Sequence, residues 1–329
     1  MNMTYRVLTI CLPVLAFIVI TVGAYVRLTD AGLGCPDWPG CYGILVFPED
    51  PQRLTDAGTD YERPVEVGKA WREMLHRYIA ATLGLGIVVL FALSLSVAEK
   101  RQQSVLLGIL VLLVIFQGAL GMWTVTLLLK PLVVTAHLFG GLATLSLLFW
   151  HALRYFAPNT EPVNRPVRFV GLGIAILLVQ IFLGGWTSTN YAALACTDFP
   201  SCHGSFWPQM DFREGFTLWR GLGVDYEYGV LETPARTAIH YSHRIWAVFT
   251  AIFLLVVGVA AILRGNRAVK RSAWCIIAAL GFQLGLGISN VIYGLPLPVA
   301  VAHNGGAALL LLALISLKYF NKTGPAEHV

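Results

Sequence analysis

The stretch VTAHLFGGLATLSLLFWHALRYF, residues 134–156, decides the fold of this chain. The stretch contains a single charged residue, Arg154, and has His137 near its start. A helix needs about 20 mostly apolar residues to cross a bilayer, so the stretch predicts a transmembrane helix. It recurs at 299–319 as VAVAHNGGAALLLLALISLKY, with His303 in the place of His137. The chain therefore contains at least two copies of one histidine-bearing membrane helix.

The composition of the whole chain agrees with a membrane protein. Hydrophobic residues make up 57% of the 329 residues and charged residues 12%, whereas soluble domains carry about 25% charged residues. Six further stretches are long and apolar enough to span a bilayer: 7–26, 73–97, 105–125, 167–186, 237–263 and 273–293. We therefore predict an all-α polytopic membrane protein with eight transmembrane helices. The first span resembles a signal sequence, but it recurs as the fifth, so we expect it to be retained.

The basic residues predict the orientation in the membrane. They concentrate in connections that all fall on one side: 99–101, 154–168, 264–271, and Lys318 and Lys322 at the end of the last span. Cytoplasmic loops carry the excess of Lys and Arg, so both termini are expected in the cytoplasm of a bacterial plasma (inner) membrane. The two long loops, about 27–72 and 188–236, would then lie outside. Basic residues form no single patch, so we expect the lipid bilayer and not nucleic acid as a partner.

Several motifs occur twice in one order at a nearly constant offset. The repeated elements are Cys35–Cys41 with Cys196–Cys202 (C-x-D-[WF]-P-x-C), His76-Arg77 with His243-Arg244, Gln117–Gly121 with Gln283–Gly287, and His137 with His303. Each half has an even number of spans, so the halves share one orientation, as in parallel transporter repeats. We predict two parallel-repeat four-helix bundles, one from residues 1–160 and one from residues 161–329.

Four histidines follow this repeat: His76, His137, His243 and His303. They stand at the starts of spans two, four, six and eight, at one depth near the outer face. A single histidine there is usually hydrogen-bonded to a neighbouring helix, but four at matched positions favour a shared function. Two imidazoles on facing helices can ligate haem iron, whereas zinc and copper need three or four close ligands. The sequence therefore predicts two haem sites.

Small residues lie on the same helix face as each histidine. They are Ala80 and Gly84, Gly140 and Gly141, Ala247 and Ala251, and Gly306 and Ala307. Spacings of three, four and eight residues keep these positions on the histidine's face. Such residues leave room for a porphyrin edge, although ordinary helix packing is the alternative for any one helix.

Charged neighbours of the histidines differ between the halves. Arg77 and Arg244 follow two of the histidines and could pair with haem propionates or reach toward the lipid headgroups. Glu73 stands three residues before His76, where it could relay protons or could cap the first helical turn. His240 takes the place of Glu73 in the second half, and we interpret it as a surface residue at the helix start.

The cysteine pairs Cys35/Cys41 and Cys196/Cys202 lie in the predicted outer loops. A structural disulfide in each is the simplest interpretation, and a redox pair that exchanges with a thiol carrier is the alternative. Cys11 and Cys275 are expected only to pack within spans. The remaining histidines, His151, His203 and His328, have no counterpart in the other half and are interpreted as incidental.

These motifs together resemble the haem A synthase family, the Cox15/CtaA group. The matching elements are Glu73-x-x-His76-Arg77, Ala136-His137, His243-Arg244, Ala302-His303 and the two C-x-D-[WF]-P-x-C loops. The resemblance implies an oxidoreductase that acts on a CH group, converting a methyl of haem O to a formyl group through hydroxylated intermediates. It implies that His76 and His137 hold the substrate haem O, that His243 and His303 hold a haem B cofactor, and that Glu73 is catalytic.

The resemblance leaves several partners open. Haem O synthase is a hypothetical partner because free haem O is scarce and reactive, and the electron acceptor is unidentified. A homo-oligomer is also left open. The main alternative function is a two-haem electron carrier linked to quinone, which the asymmetry between Glu73 and His240 argues against. A haem transporter fits less well because all four matched histidines share one depth, and a solute transporter is expected to have broken spans.

Overall fold

The computed structural model describes residues 3–47, 51–61, 63–96, 101–157, 163 and 166–322. Glu99, Lys100 and His328, and residues 158–162, 164 and 165 of the predicted connection 154–168, lie outside these residues. Ten α-helices occur within them: α1 Met3–Leu28, α2 Pro51–Ala57, α3 Val67–Leu95, α4 Arg101–Thr126, α5 Pro131–Phe156, α6 Val170–Thr189, α7 Phe212–Gly215, α8 Thr233–Arg264, α9 Arg267–Ile292 and α10 Leu297–Phe320. All but α2 and α7 are long and apolar enough to cross a membrane. The predicted all-α membrane fold with eight spans is confirmed.

The helices that carry His76 and His243 begin earlier than hydropathy predicts. The second and sixth spans were expected to begin at residues 73 and 237, but α3 begins at Val67 and α8 at Thr233. The added turns of α3 are polar, yet they are helical because the amides of Lys69 and Ala70 donate to the Glu66 carbonyl. Ala70 is fully buried under the first long loop, so packing against that loop extends the helix beyond its apolar run.

The membrane helices pack in two sets of four. Helix α1 contacts α3 and α5, and α4 contacts α3 and α5; α6 contacts α8 and α10, and α9 contacts α8 and α10. Helices α1 and α5 of one set meet α6 and α10 of the other. These are the contacts expected of two side-by-side bundles, while the division at residue 160 and the symmetric repeat stay predictions.

Two long connections, 29–66 and 190–232, emerge from one end of the helices, here called the loop end. They meet at a seam where Arg27 donates to the Ser188 carbonyl at 2.6 Å. The Tyr191 hydroxyl donates to Asp30 at 3.1 Å, and the Arg27 guanidinium lies 4.1 Å from the centre of the Tyr191 ring. These contacts tie the ends of α1 and α6 together next to the predicted histidine sites.

Candidate functional site

Each of the four predicted histidines faces a glycine of the preceding membrane helix. The pairs are Gly23 with His76, Gly121 with His137, Gly184 with His243, and Gly287 with His303. A Cβ atom added to these glycines would lie 2.9, 3.6, 3.0 and 3.1 Å, respectively, from the histidine Cε1 atom. Three of the four rings would therefore have to move if the glycine had a side chain. The sequence motifs of the two halves thus recur as spatial pairs at the loop end.

The second pair of histidines has a spacing suited to a haem. The ring centres of His243 and His303 are 6.5 Å apart, with the ring planes at 85°. Imidazoles this close could hold one haem iron between them.

The hydrogen bonding of the histidines also fits a metal ligand. The Nδ1 atoms of His76, His137 and His303 are buried and have no hydrogen-bond partner. Buried polar atoms are normally paired, so such orphans need an explanation. Among the described residues, no group of three or more His, Cys, Asp or Glu side chains could hold a bare metal ion. Paired imidazoles without further ligands suit haem iron, whose porphyrin supplies the other ligands.

Not all of the small residues near the histidines make room for a porphyrin. A Cβ atom on Gly140 would lie 2.2 Å from the carboxamide oxygen of Gln117, and one on Gly306 would lie 2.3 Å from that of Gln283. These two glycines therefore accommodate glutamine side chains, which the sequence interpretation overlooked. Gly84, by contrast, has no atom within 4 Å of its Cβ position.

Glu73 is buried, with 5% of its surface exposed, at the centre of a polar cluster. One carboxylate oxygen accepts from Arg77 Nη2 at 2.6 Å and the other from the backbone amide of Cys35 at 2.9 Å. Since α3 begins at Val67, Glu73 does not cap the first turn, and that alternative is wrong. The carboxylate instead joins the predicted ligand helix to the first disulfide loop.

His240 occupies the equivalent place in the second half, and its interpretation as a surface residue is wrong. It is 4% exposed because the second disulfide loop folds over the start of α8. Its Nδ1 atom lies 3.3 Å from the Cys196 amide and its Nε2 atom 3.2 Å from Arg244 Nε. A neutral imidazole has one acceptor nitrogen, whereas a carboxylate accepts at both oxygens. Glu73 therefore satisfies two donors that His240 cannot satisfy together.

Both arginines hold the disulfide loops in place. Arg77 Nη1 donates to the carbonyls of Asp37, Pro39 and Gly40. Arg244 donates to the carbonyls of Asp198 and Ser201 at 2.9 Å and of Cys196 at 2.8 Å. In the structure these guanidinium groups are therefore engaged by backbone carbonyls of the disulfide loops. Their predicted contacts with haem propionates stay predictions.

The cysteine pairs form the disulfides Cys35–Cys41 and Cys196–Cys202, as the structural interpretation predicts, and a redox exchange with a thiol carrier stays the alternative prediction. The aspartate within each loop accepts two backbone amides: Asp37 from Tyr42 and Gly43, and Asp198 from His203 and Gly204. The Ser201 hydroxyl donates to Asp198 as well. Hydrogen bonds from Ser201 and then Gly204 hold the pKa of Asp198 well below its ordinary value. The C-x-D-[WF]-P-x-C motif thus encodes one rigid loop twice.

Residues 217–229 of the second long loop, here called the strap, cross to the first half. The Lys130 ammonium donates to the Gly221 carbonyl and lies 3.4 Å from the centre of the Trp219 ring. Arg63 pairs with Asp225 and, at 2.7 Å, with Glu227. The strap therefore covers the loop end of the half that contains His76 and His137. Nothing in the local sequence pattern predicted this crossing.

Of the incidental residues, His151 is 1% exposed and lies 3.3 Å from the Tyr5 hydroxyl, at the end of α5 opposite the loops. His203 is exposed and contacts the Ala195 carbonyl. Cys11 and Cys275 lie within spans, as expected, and are free thiols at exposed positions of α1 and α9.

Comparison with known proteins identifies the family. A model of the family described as cytochrome oxidase assembly protein (COX15-CtaA) matches residues 6–315. A haem A synthase of Shewanella oneidensis is 45% identical over 93% of both chains. The haem A synthase of a Caulobacter species is 30% identical over 91% of this chain and 90% of its own, and that of Granulibacter bethesdensis is 26% identical over 93% and 84%. The chain therefore belongs to the haem A synthase family, the Cox15/CtaA group of cytochrome oxidase assembly proteins.

Proposed function

We propose that this chain is a haem A synthase that oxidises a methyl group of haem O to a formyl group through hydroxylated intermediates. The observation that carries the proposal is the close pair His243 and His303, whose ring centres are 6.5 Å apart. The first half has His76 and His137 at the matching sequence positions, with the buried carboxylate of Glu73 where the second half has His240. Its relatives are named for this activity. The reaction replaces C–H bonds of the methyl group by bonds to an oxygen atom taken from water, and it releases protons and electrons. The site therefore needs a base for the protons and a route by which the electrons reach the unidentified acceptor.

The two halves are proposed to divide the work. His76 and His137 would hold the substrate haem O, and His243 and His303 would hold a resident haem B. That cofactor supplies one-electron redox chemistry when bound. The 6.5 Å separation of the His243 and His303 rings supports a tightly fixed cofactor in the second half. Glu73, which has no carboxylate counterpart there, supports the first half as the place of reaction.

Glu73 is proposed as the catalytic residue because its position suits proton transfer. It lies three residues before His76, which is one turn of α3, so its carboxylate and the imidazole share a helix face. Arg77 and the Cys35 amide hold its two oxygens in place. A carboxylate held in this way can take a proton released by the substrate at either oxygen while the arginine keeps it oriented.

The strap and the disulfide loops are proposed to keep bulk water and solutes away from the first half. Lys130 and Arg63 hold the strap against this half. Exclusion of water strengthens electrostatic interactions within the site and limits side reactions. The proposal also includes haem O synthase as the donor of the substrate, an unidentified electron acceptor and a homo-oligomer. It places the chain in a bacterial inner membrane with both termini in the cytoplasm.

The test is haem extraction from cells that express this chain together with a haem O synthase. Chromatography with mass analysis should reveal haem A or its hydroxylated precursor, and neither should occur in cells that lack this chain. A Glu73→Ala variant serves as the matched control, and it should contain haem without forming haem A. If folded, haem-loaded protein yields only haems B and O, the result would favour the two-haem electron carrier.

A further inference from the structure

Three of the four predicted ligand histidines each accept a hydrogen bond from a glutamine of a neighbouring helix. Each glutamine donates from its carboxamide to the backbone carbonyl of the histidine: Gln117 to His137 at 2.9 Å, Gln283 to His303 at 2.9 Å and Gln180 to His243 at 3.3 Å. Each glutamine stands four residues before the glycine that faces the same histidine. One helical turn therefore supplies both the space for the imidazole and a polar group beside it.

In the second half the glutamines also approach the imidazole rings. Gln180 Nε2 lies 3.1 Å from His243 Nδ1, and Gln283 Nε2 lies 3.4 Å from His303 Nε2. In the first half the contact of Gln117 is with the His137 carbonyl, and the Nδ1 atom of that ring is unpaired. In the second half, therefore, a glutamine lies beside the ring of each histidine, whereas among the described residues of the first half no glutamine forms a hydrogen bond with a histidine ring.

Valine occupies the fourth of these positions. Val19 stands four residues before Gly23, in the place that Gln180 has before Gly184. It is partly buried against the apolar core of the helices, and its side chain can neither donate nor accept a hydrogen bond. The Nδ1 atom of His76 is buried without a partner. His76 is thus the ligand position that has no glutamine.

A partner on the second nitrogen matters for a metal-bound histidine. That partner fixes the ring orientation and raises the basicity of the ligand, and its loss costs about 10–100-fold in metal affinity. The carboxamide oxygens of Gln117, Gln180 and Gln283 are all buried without a partner. The atoms that approach the His243 and His303 rings are the carboxamide nitrogens, which are donors. A half-turn of the terminal carboxamide would instead present its oxygen as the acceptor for the N–H that a neutral imidazole carries on the nitrogen not bound to metal.

We infer that these glutamines are positioning residues that make the haem affinity of the second half higher than that of the first. Val19, which takes the place of a glutamine, makes His76 the exchangeable ligand. The inference rests on the proposed ligation by the four histidines and deepens it. A resident cofactor must stay bound, which suits the two glutamine-supported rings of the second half. A substrate must enter and its product must leave, which suits a pair that has one glutamine and one valine.

The test uses the purified full-length chain loaded with haem B as the probe and mixed with excess apomyoglobin, which captures released haem. Wild-type protein should release haem in a fast and a slow phase, and His303→Ala should remove the slow one. Val19→Gln should slow the fast phase about tenfold, and Gln180→Val should accelerate the slow phase about tenfold. Val19→Leu, which changes size without adding an amide, should leave the fast phase unchanged.

A spectroscopic measurement separates positioning from general packing. Gln180→Val should shift the midpoint potential and the electron paramagnetic resonance g values of the second-half haem, because the basicity of its ligand changes. A folded, loaded Gln180→Val protein with unaltered release and potential would overturn the inference. So would a Val19→Gln protein that releases haem at the wild-type rate. If Val19→Gln does not load, Gln117→Val gives the converse test and should accelerate the fast phase.

The outcomes also distinguish this inference from the proposed function. If the protein binds two haems and none of these substitutions changes a release rate, the inference is overturned and the proposed function is not. If the substitutions change the release rates as expected but the protein makes no haem A, the inference is supported and the proposed synthase function is overturned. Wild-type protein without any haem absorbance would overturn the ligation on which both rest.

Discussion

The backbone amide of Cys35 donates a hydrogen bond to the Glu73 carboxylate at 2.9 Å. Because Cys35 is also bonded to Cys41, the disulfide loop sets the position of the carboxylate that lies one turn above His76. The opposite oxygen of Glu73 is held by Arg77, which itself lies under the same loop. Hydrogen bonds therefore connect the loop, the carboxylate and the predicted ligand helix, and a change in one should alter the positions of the other two.

Replacement of Glu73 by glutamine should stop haem A formation without loss of haem. The amide has nearly the same size, but it retains one acceptor oxygen and cannot take up a proton. Loss of a general acid or base lowers rates by about 10²–10⁴-fold, and we expect a decrease in that range, measured as haem A per bound haem. His240→Gln, at the equivalent position of the second half, is the control and should retain haem A formation. Normal haem A levels in Glu73→Gln would remove the catalytic role.

The two disulfides should differ in their effect on activity. Cys35→Ser/Cys41→Ser and Cys196→Ser/Cys202→Ser each remove the closure of a short loop, at a cost of roughly 2–3 kcal/mol in stability. Thermal unfolding in detergent should therefore fall in both double variants. Haem A formation should fall further in the first, since only that loop positions Glu73. Equal loss of activity in both variants would argue that the loops act through stability alone.

The sequence predicts the parts of this molecule that depend on local pattern. Eight helices follow from runs of apolar residues, and the four histidines follow from their nearly equal spacing in the two halves. The burial of His240 was not predictable, because it depends on where residues 190–232 fold over α8. Gln180 was missed because its counterpart is Val19, so the comparison of halves found no repeated residue there. Only the packing of α6 beside α8 shows that Gln180 does for His243 what Gln117 does for His137.

The strap should loosen when its ion pairs are removed. Arg63 joins it to the first half through Asp225 and Glu227, and exposed pairs are worth about 0.2–1 kcal/mol each. In Arg63→Ala, limited trypsin cleavage after Arg220 should therefore be a few-fold faster, and high salt should accelerate cleavage of the wild type in the same direction. Arg53→Ala, at an exposed position of α2, is the control. Cleavage at the wild-type rate in Arg63→Ala would show that Lys130 and Trp219 suffice to hold the strap.

Asp198 should make the second disulfide loop sensitive to acid. Its folded pKa is lowered from 3.8, first by the Ser201 hydroxyl and then by the Gly204 amide. A lowered pKa contributes stability that is present above the unfolded value and is lost as the pH falls toward the folded value. The unfolding temperature of the wild type should thus approach that of Asp198→Asn as the pH decreases from about 5 to about 2. Asp56→Asn corrects for net charge, and a constant difference across this range would contradict the prediction.

Replacement of His240 by glutamate should stabilise the second half. The Cys196 amide and Arg244 Nε both point toward the imidazole of His240, and a neutral imidazole can accept from only one of them. A carboxylate would accept from both, as Glu73 does for Cys35 and Arg77, and a hydrogen bond to a charged group is worth about 1.5–3 kcal/mol. The unfolding temperature of His240→Glu should rise, with haem content unchanged. His240→Gln, which is polar but uncharged and offers one acceptor oxygen, should gain little. A lower unfolding temperature for His240→Glu would mean that burial of the carboxylate costs more than its two hydrogen bonds return.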